Sequence, residues 1–166
     1  MTPPGLRASV ITVSDRARAG AAEDRSGPLA VSLLTEAGFE CPPATVVADG
    51  ADSVEQALRG ALDDGARLVL TTGGTGVGPR DLTPEGTAPV LSRALPGLVE
   101  EIRRIATRET AGGMLSRGLA GVVDGPAGTS AVVVNLAGST AAVRSAVPVV
   151  LAVAPHAIAQ LDGGDH

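Results

Sequence analysis

No lysine, tryptophan or tyrosine occurs in the 166 residues, and Phe39 is the sole aromatic side chain. Without lysine there is no Schiff-base amine and no Walker-type phosphate lysine. One aromatic cannot build the stacking platforms of RNA- or single-strand-binding domains. The formal charge of −5 has the wrong sign for a nucleic-acid footprint. All 13 positive side chains are arginines, so a bound nucleotide has to be held by backbone, arginine or metal. The single cysteine, Cys41, excludes an internal disulfide and a cysteine zinc cluster, in agreement with a reducing cytosol. A lone cysteine reads as a small buried hydrophobe. Long apolar runs are missing too. Residues 146–159, AVPVVLAVAPHAIA, fall short of the roughly 18 residues of a membrane span and carry two prolines and a histidine. They read as a helix buried against a sheet. The start, MTPPGLRASV, lacks the apolar stretch of a signal peptide. These absences predict a cytoplasmic protein that binds neither nucleic acid nor membrane.

What is present suits one aliphatic core. The 44% hydrophobic content is almost all Ala, Val and Leu, and the length predicts a single domain, residues 1–166, with flexible ends at 1–7 and 162–166. Ser9–Val13 is a β-branched run. A helix is expected from about Pro28 to Ala37, with Pro28 in its first turn and Gly38 after its last. Thr45–Ala48 reads as a second strand. Ser53 with Gln56 has the spacing of a capping box ahead of an apolar stripe, Val54, Ala57, Leu58, Ala61 and Leu62. Residues 67–71 form a third strand. Thr83 is expected to cap a helix running from Pro84 to about Leu95, and another helix follows Pro96. Residues 121–124 have the pattern of a short strand and 131–135 of a longer one. Gly138–Ser139 opens a last helix that Pro148 and Pro155 are expected to break or kink. The final LDGGDH reads as a frayed tail, with His166 outside any site.

Strand and helix alternation of this kind predicts an α/β fold: a three-layer α/β/α sandwich on a mostly parallel sheet. Ligands of such sheets bind at the carboxyl ends of the strands. Those ends carry Ser14–Asp15, Asp49, the loop 73–81 and residues 135–139. The loop lies in the string TTGGTGVGPRDLTPE, residues 71–85. Gly73, Gly74, Thr75 and Gly76 expose successive backbone N–H groups to a phosphate or carboxylate, and the helix start beyond adds its positive end. Arg80 is suited to a bidentate contact with the same anion. Asp81 cannot bind an anion, so its natural partner is Mg²⁺ shared with phosphate oxygens. A plain tight turn with a capping aspartate is the competing reading, because neither the P-loop nor the dinucleotide glycine spacing is present.

The string GGTG followed by RDLTPE resembles the signature of the molybdopterin adenylyltransferase family, the Mog and MoaB-like proteins and the G domain of gephyrin. Val13–Arg16 with Glu23–Gly27, Val47–Asp49, Leu115–Arg117 and Asn135–Ser139 are similar to further loops of that family in the same order, so the likeness covers roughly residues 8–160. It implies Mg²⁺-dependent transfer of AMP from ATP to molybdopterin, a molybdenum insertase as downstream partner, and a homotrimer or homohexamer. The two essential aspartates of the family fall at Asp49 and Asp81. The resemblance assigns Asp81 to Mg²⁺ and the triphosphate, and Asp49 either to placing the pterin phosphate or to sharing the metal. Gly73–Gly76 would wrap the phosphates, and Gly138 and Ser139 would hold ATP or the pterin terminus. Ser116 and Arg117 are candidates for the pterin phosphate, with a plain surface loop as the alternative. Asp15 lines the cleft or caps a strand end. The last loop departs from the family pattern, Leu-Pro-Gly-Ser/Gln-Pro-Lys, by reading Leu136-Ala-Gly-Ser-Thr-Ala141. That departure favours an alternative, a non-catalytic MoaB-like paralogue that binds molybdopterin or scaffolds the pathway.

Overall fold

A computed structural model describes residues 5–126 and 128–164. Six strands form one sheet in the order β2-β1-β3-β6-β5-β4. They are β1 (Ala8–Val13), β2 (Thr45–Val47), β3 (Leu68–Thr72), β4 (Arg93–Ala94), β5 (Ala120–Val123) and β6 (Ala131–Leu136). The first three and β6 run parallel, whereas β5 and β4 are antiparallel to their neighbours. The expected three-layer α/β/α sandwich on a mostly parallel sheet is therefore the observed one.

The period of two along each strand divides the core. Ala8, Val10, Leu68, Leu70, Val132 and Val134 face one layer, made by α2 (Ser26–Glu36), α5 (Pro96–Glu109) and α6 (Thr140–Leu161). Ile11, Val13, Val69 and Val133 face the other, where Val54 and Leu58 of α3 (Ala51–Asp63) are fully buried. A single turn, α1 (Asp15–Arg18), follows β1, and the short α4 (Thr83–Thr87) follows the glycine loop. Because the chain leaves β1 toward β2 and then returns to place β3 on β1's other side, the sheet switches direction between β1 and β3. The loops after these two strands, Ser14–Asp15 and Gly73–Asp81, border the crevice that such a switch opens.

Four local expectations are corrected. The Ser53–Gln56 capping box does not form: α3 begins at Ala51 after Gly50, and Ser53 Oγ donates back to the carbonyls of Ala48 (2.7 Å) and Gly50 (3.0 Å). Thr83 is the first residue of α4, not its cap, and its hydroxyl donates to the Gly73 carbonyl at 2.8 Å. The helix expected to reach Leu95 stops at Thr87 and gives way to one 3-10 turn, Ala88–Val90. Pro89 has no N–H to continue it, and the amides of Ser92 and Leu95 are taken by the Val122 and Ala120 carbonyls of β5. The last helix is not broken by its prolines. It runs 22 residues, long and apolar enough by composition to cross a membrane. Instead Val143, Val147, Val150, Ala154 and Ile158 are buried against the sheet layer, while Pro148 lies on the exposed side. Tertiary burial outweighs the one hydrogen bond each proline forfeits.

Of the ends expected to be flexible, Leu6 accepts from the Glu40 amide at 2.9 Å and Asp162 is held by Arg67 at 2.7 Å. Residues 1–4 and 165–166, His166 included, lie outside the described residues.

Candidate active site

The glycine loop is shaped by contacts that leave no room for side chains. Gly73 and Gly74 have φ of +101° and +65°. A Cβ on Gly73 would stand 2.3 Å from the Val13 carbonyl, and one on Gly74 would stand 2.3 Å from Thr83 Oγ1. Only glycine meets both demands. The bond from Thr83 Oγ1 to Gly73 and the bond from Thr83 N to the Gly74 carbonyl (3.0 Å) pin the loop to the first turn of α4. Among the described residues, the amides of Gly74, Thr75 and Gly76 have no acceptor. Polar N–H groups in folded chains are otherwise almost always paired, so three in succession form a ready anion cradle.

Both predicted aspartates flank this loop. Asp81 Oδ2 accepts from the Gly78 amide at 2.9 Å and lies 2.8 Å from where a Cβ of Gly76 or Gly78 would stand. Asp49 Oδ1 lies 3.2 Å from the same construction on Gly74. Asp49 is itself fixed by reciprocal bonds with Asp15: Asp15 N donates to Asp49 Oδ2 (2.8 Å) and Asp49 N to Asp15 Oδ1 (3.0 Å). Arg80 gives its fork to Asp15 (3.0 Å to each carboxylate oxygen) and one further bond to the Asp49 carbonyl (2.8 Å). Its guanidinium holds the Asp15 carboxyl below the usual carboxylate range. Arg80 is thus occupied with organising the two acids.

Cys41 is half-buried and its thiol is pushed up to about 11 by desolvation, which leaves it protonated at neutral pH.

A cavity of about 540 Å³ opens between Gly73–Gly76 with Asp81, the Ala137–Ser139 turn, and residues of α5, α6 and the 3-10 turn Ala111–Leu115. Ile102, Ala106, Leu115, Ala142 and Ala146 make much of it apolar, with Arg103, Glu109, Ser116 and Ser145 as polar points. A second cavity, about 430 Å³, lies over Thr12–Ser14, Ala22–Ser26 and Thr72. Gly138 and Ser139 line both. They sit at the amino end of α6, where Ser139 Oγ accepts from Ala142 N at 3.1 Å and the remaining first-turn amides keep the positive end of the helix dipole open. Gly138 has to be small, since its Cβ would approach Gly73 Cα to 3.1 Å.

The structure therefore brings Gly73–Gly76, Asp81, Ser116, Gly138 and Ser139 to one cavity; Asp49, Asp15 and Arg80 do not line it, and Asp49 stands beside a lining residue, Gly74. Arg117 does not line it: its side chain bonds to Gly76 O, Asp81 O and Glu85. Sequence reasoning missed Arg103, Glu109, Ser145 and the Thr12–Asp24 and Ser26–Thr72 pairs (2.7 and 2.5 Å). Only the Glu23–Gly27 string pointed toward the last two. Asn135 was also legible only as a strand end, yet its buried amide gives hydrogen bonds to Thr71 (2.9 Å) and Thr87 (3.0 Å) and accepts from Leu119 N (3.0 Å). No group of three or more His, Cys, Asp or Glu residues suited to a metal occurs among the described residues. Asp49 and Asp81 beside the unpaired amides are the residues that could hold a Mg²⁺, an ion that takes one or two carboxylates and completes its shell with water and substrate oxygens.

Fold and site together define a doubly wound α/β domain with two adjoining cavities that share Gly138 and Ser139 at the carboxyl edge of its sheet. The chain belongs to the molybdopterin-binding domain family: the family model, described as a probable molybdopterin binding domain, matches residues 9–156. It is 36% identical to the molybdopterin adenylyltransferase of Pyrococcus furiosus, over 89% of this chain and 86% of that one. It is 41% identical to the molybdenum cofactor biosynthesis bifunctional protein of Synechococcus elongatus, over 98% of this chain but 49% of the relative, so it spans about half the length of that protein. Among solved structures, the tungsten cofactor synthesizing protein MoaB of Pyrococcus furiosus superimposes with a TM-score of 0.88 at 33% identity, over 96% and 99% of the two chains. A molybdopterin biosynthesis protein of Mycobacterium abscessus does so with 0.86 at 41% identity, over 96% and 98%.

Proposed function

We propose that this chain is a cytoplasmic molybdopterin adenylyltransferase, which transfers AMP from ATP to the terminal phosphate of molybdopterin and releases pyrophosphate. The observation that carries the reading is the pair of adjoining cavities sharing Gly138 and Ser139, one of them walled by three unpaired amides and Asp81. Two substrates that must meet at one phosphorus need adjoining chambers with a cradle for the transferred charge. The name of the Pyrococcus furiosus relative supports the chemistry.

In this reading a phosphate oxygen of the pterin attacks the α-phosphorus of ATP. The new P–O–P bond forms as the bond to the bridging α,β-oxygen breaks, and pyrophosphate carries that oxygen away. A phosphate monoester is already a nucleophile at neutral pH, so the protein's task is alignment and charge neutralisation rather than proton removal. Gly74, Thr75 and Gly76 hold phosphate oxygens through backbone N–H. The first turn of α6 at Gly138–Ser139 adds a second set of donors from the opposite wall. Asp81 and Asp49 would hold Mg²⁺, which when bound neutralises triphosphate charge. Asp15 and Arg80 keep Asp49 in place. The product passes to a molybdenum insertase, and the bifunctional relatives support a partner in the same pathway. The assembly is a homotrimer or homohexamer.

A second reading, pterin binding without catalysis, is favoured by the same cleft: Ala137 and Ala141 place no cation beside Gly138, and among the described residues Arg103 is the sole arginine lining the larger cavity. Complementation separates the two. Expression in a strain that lacks the adenylyltransferase should restore molybdoenzyme activity, whereas soluble expression without rescue would support the binding reading.

A further inference from the structure

We infer that Arg117 is a positioning residue that clamps the two walls of the larger cavity together and sets the attitude of Asp81, rather than a ligand of the pterin phosphate. The inference rests on the adenylyltransferase reading for its kinetic consequences and on geometry alone for the clamp. Four side-chain hydrogen bonds, to three residues, reach the glycine loop and α4. Nε donates to the Gly76 carbonyl at 2.7 Å, Nη2 to the Asp81 carbonyl at 2.5 Å, and both Nη1 and Nη2 to the Glu85 carboxylate. The Arg117 amide adds a bond to the Thr75 carbonyl at 2.8 Å. A guanidinium has five N–H donors in a fixed fork. Four are engaged, so no bidentate edge is left for a phosphate unless the clamp opens.

The anchor points explain why this matters for chemistry. Gly76 O and Asp81 O bracket the segment Val77–Arg80, which makes no bond to Thr83. Glu85 is on α4, one turn beyond. Arg117 thereby fixes the backbone at both ends of that bracket, and with it the carboxylate of Asp81. Behind it, Arg103 of α5 donates to the carbonyls of Ser116 (3.4 Å) and Gly118 (3.2 Å), so the segment that carries Arg117 is held in turn. The two arginines form a chain from α5 through Ser116–Gly118 to the phosphate cradle. Ser116 lines the cavity on one side of the clamp and Gly76 on the other. A positional error near 1 Å at reacting groups costs on the order of 100-fold in rate, which sets the scale expected on losing the clamp.

The test compares Arg117→Ala, Arg117→Lys and Glu85→Gln with the parent chain by steady-state kinetics on ATP and molybdopterin and by amide hydrogen exchange. Arg117→Ala should lower kcat by about 30- to 100-fold with the KM for molybdopterin within about threefold. Arg117→Lys, which keeps the charge but not the fork, should recover part of that loss, and Glu85→Gln should lose several-fold. In Arg117→Ala the amides of Gly78 and Asp81, which donate to the Asp81 carboxylate and the Gly78 carbonyl, should exchange faster while those of β3 stay protected, which separates a local clamp from general unfolding. A molybdopterin KM raised tenfold or more with kcat intact would place Arg117 on the substrate and overturn the inference. Exchange at Gly78 and Asp81 unchanged from the parent would overturn it as well. If the parent chain itself turns over no pterin, the adenylyltransferase reading fails, and the exchange result alone still decides whether the clamp exists.

Discussion

Replacing Gly74 with alanine is expected to damage the glycine loop and the fold together, by an amount the local geometry sets. At φ +65° an alanine pays for a left-handed backbone, about 1 kcal/mol. Its methyl would stand 2.3 Å from Thr83 Oγ1, so Thr83 must give up its 2.8 Å bond to the Gly73 carbonyl, about 1 kcal/mol more. Crowding against Val13 Cγ1 at 3.3 Å and Asp49 Oδ1 at 3.2 Å adds a further 1–2 kcal/mol or so of overpacking. The sum, about 3–4 kcal/mol, is a large share of the ~5–15 kcal/mol that hold such a domain. For a chain of this size each kcal/mol moves the midpoint by about 2–4 °C, so Tm should fall by roughly 10 °C. Gly65→Ala is the control. Gly65 also has positive φ, +86°, but nothing lies within 4 Å of its Cβ position, so only the backbone cost of about 1 kcal/mol applies. Thermal unfolding followed by circular dichroism measures both. Equal Tm losses in the two variants, or a Gly74→Ala midpoint within about 2 °C of the parent, would refute the claim that close approach to Thr83 is what demands glycine there.

Asp81→Asn keeps an oxygen that can accept from the Gly78 amide, so its Tm should stay within about 3 °C of the parent, while adenylyl transfer measured by pyrophosphate release falls by on the order of 100-fold or more. Asn135→Leu leaves the Thr71 hydroxyl and the Leu119 amide without their buried partner and removes one bond from Thr87, and chemical denaturation should report a loss of about 3 kcal/mol. Arg80 and Arg117 hold Asp15 and Glu85 below their ordinary carboxylate values. A depressed folded-state pKa stabilises above the unfolded value, near pH 4, and the benefit disappears as pH falls through the folded values. Tm measured from pH 7 to pH 3 should therefore be flat with respect to these pairs down to about 4 and then fall, with a shallower fall in Asp15→Asn and Glu85→Gln.

The sheet and its parallel character were legible because the strands are β-branched runs separated by helical stripes, and because burial on both faces needs continuous apolar segments such as Leu68–Leu70 and Val132–Val134. The bare, tightly packed glycine loop was legible because Gly73, Gly74 and Gly76 follow directly on a strand, and a backbone stripped of side chains there suits a tight turn that packs closely and leaves its N–H groups open. Side-chain destinations were not. Arg80 and Arg117 both sit in strings that suggest anion binding, yet each turns to a carboxylate and to carbonyls of its own chain, and nothing in linear spacing says that Asp15 is within reach of Arg80 or Glu85 of Arg117. Helix ends failed for a related reason. Ser53 and Thr83 have the chemistry of caps, but Gly50 and the glycine loop offered their hydroxyls other acceptors. Pro148 suggested a break that the burial of Val147 and Val150 overrode. The second cavity was hidden because Thr12, Thr72 and Ser139 meet only through the sheet order.

The central claim is that this cleft joins ATP to molybdopterin at one phosphorus. It is tested most directly by mixing the purified chain with molybdopterin, Mg²⁺ and ATP labelled at the α-phosphate and following the label. The account predicts that label moves into an adenylylated pterin with one pyrophosphate released per pterin consumed, and that Asp81→Asn abolishes the transfer. Tight binding of molybdopterin with no label transferred over many minutes would contradict it.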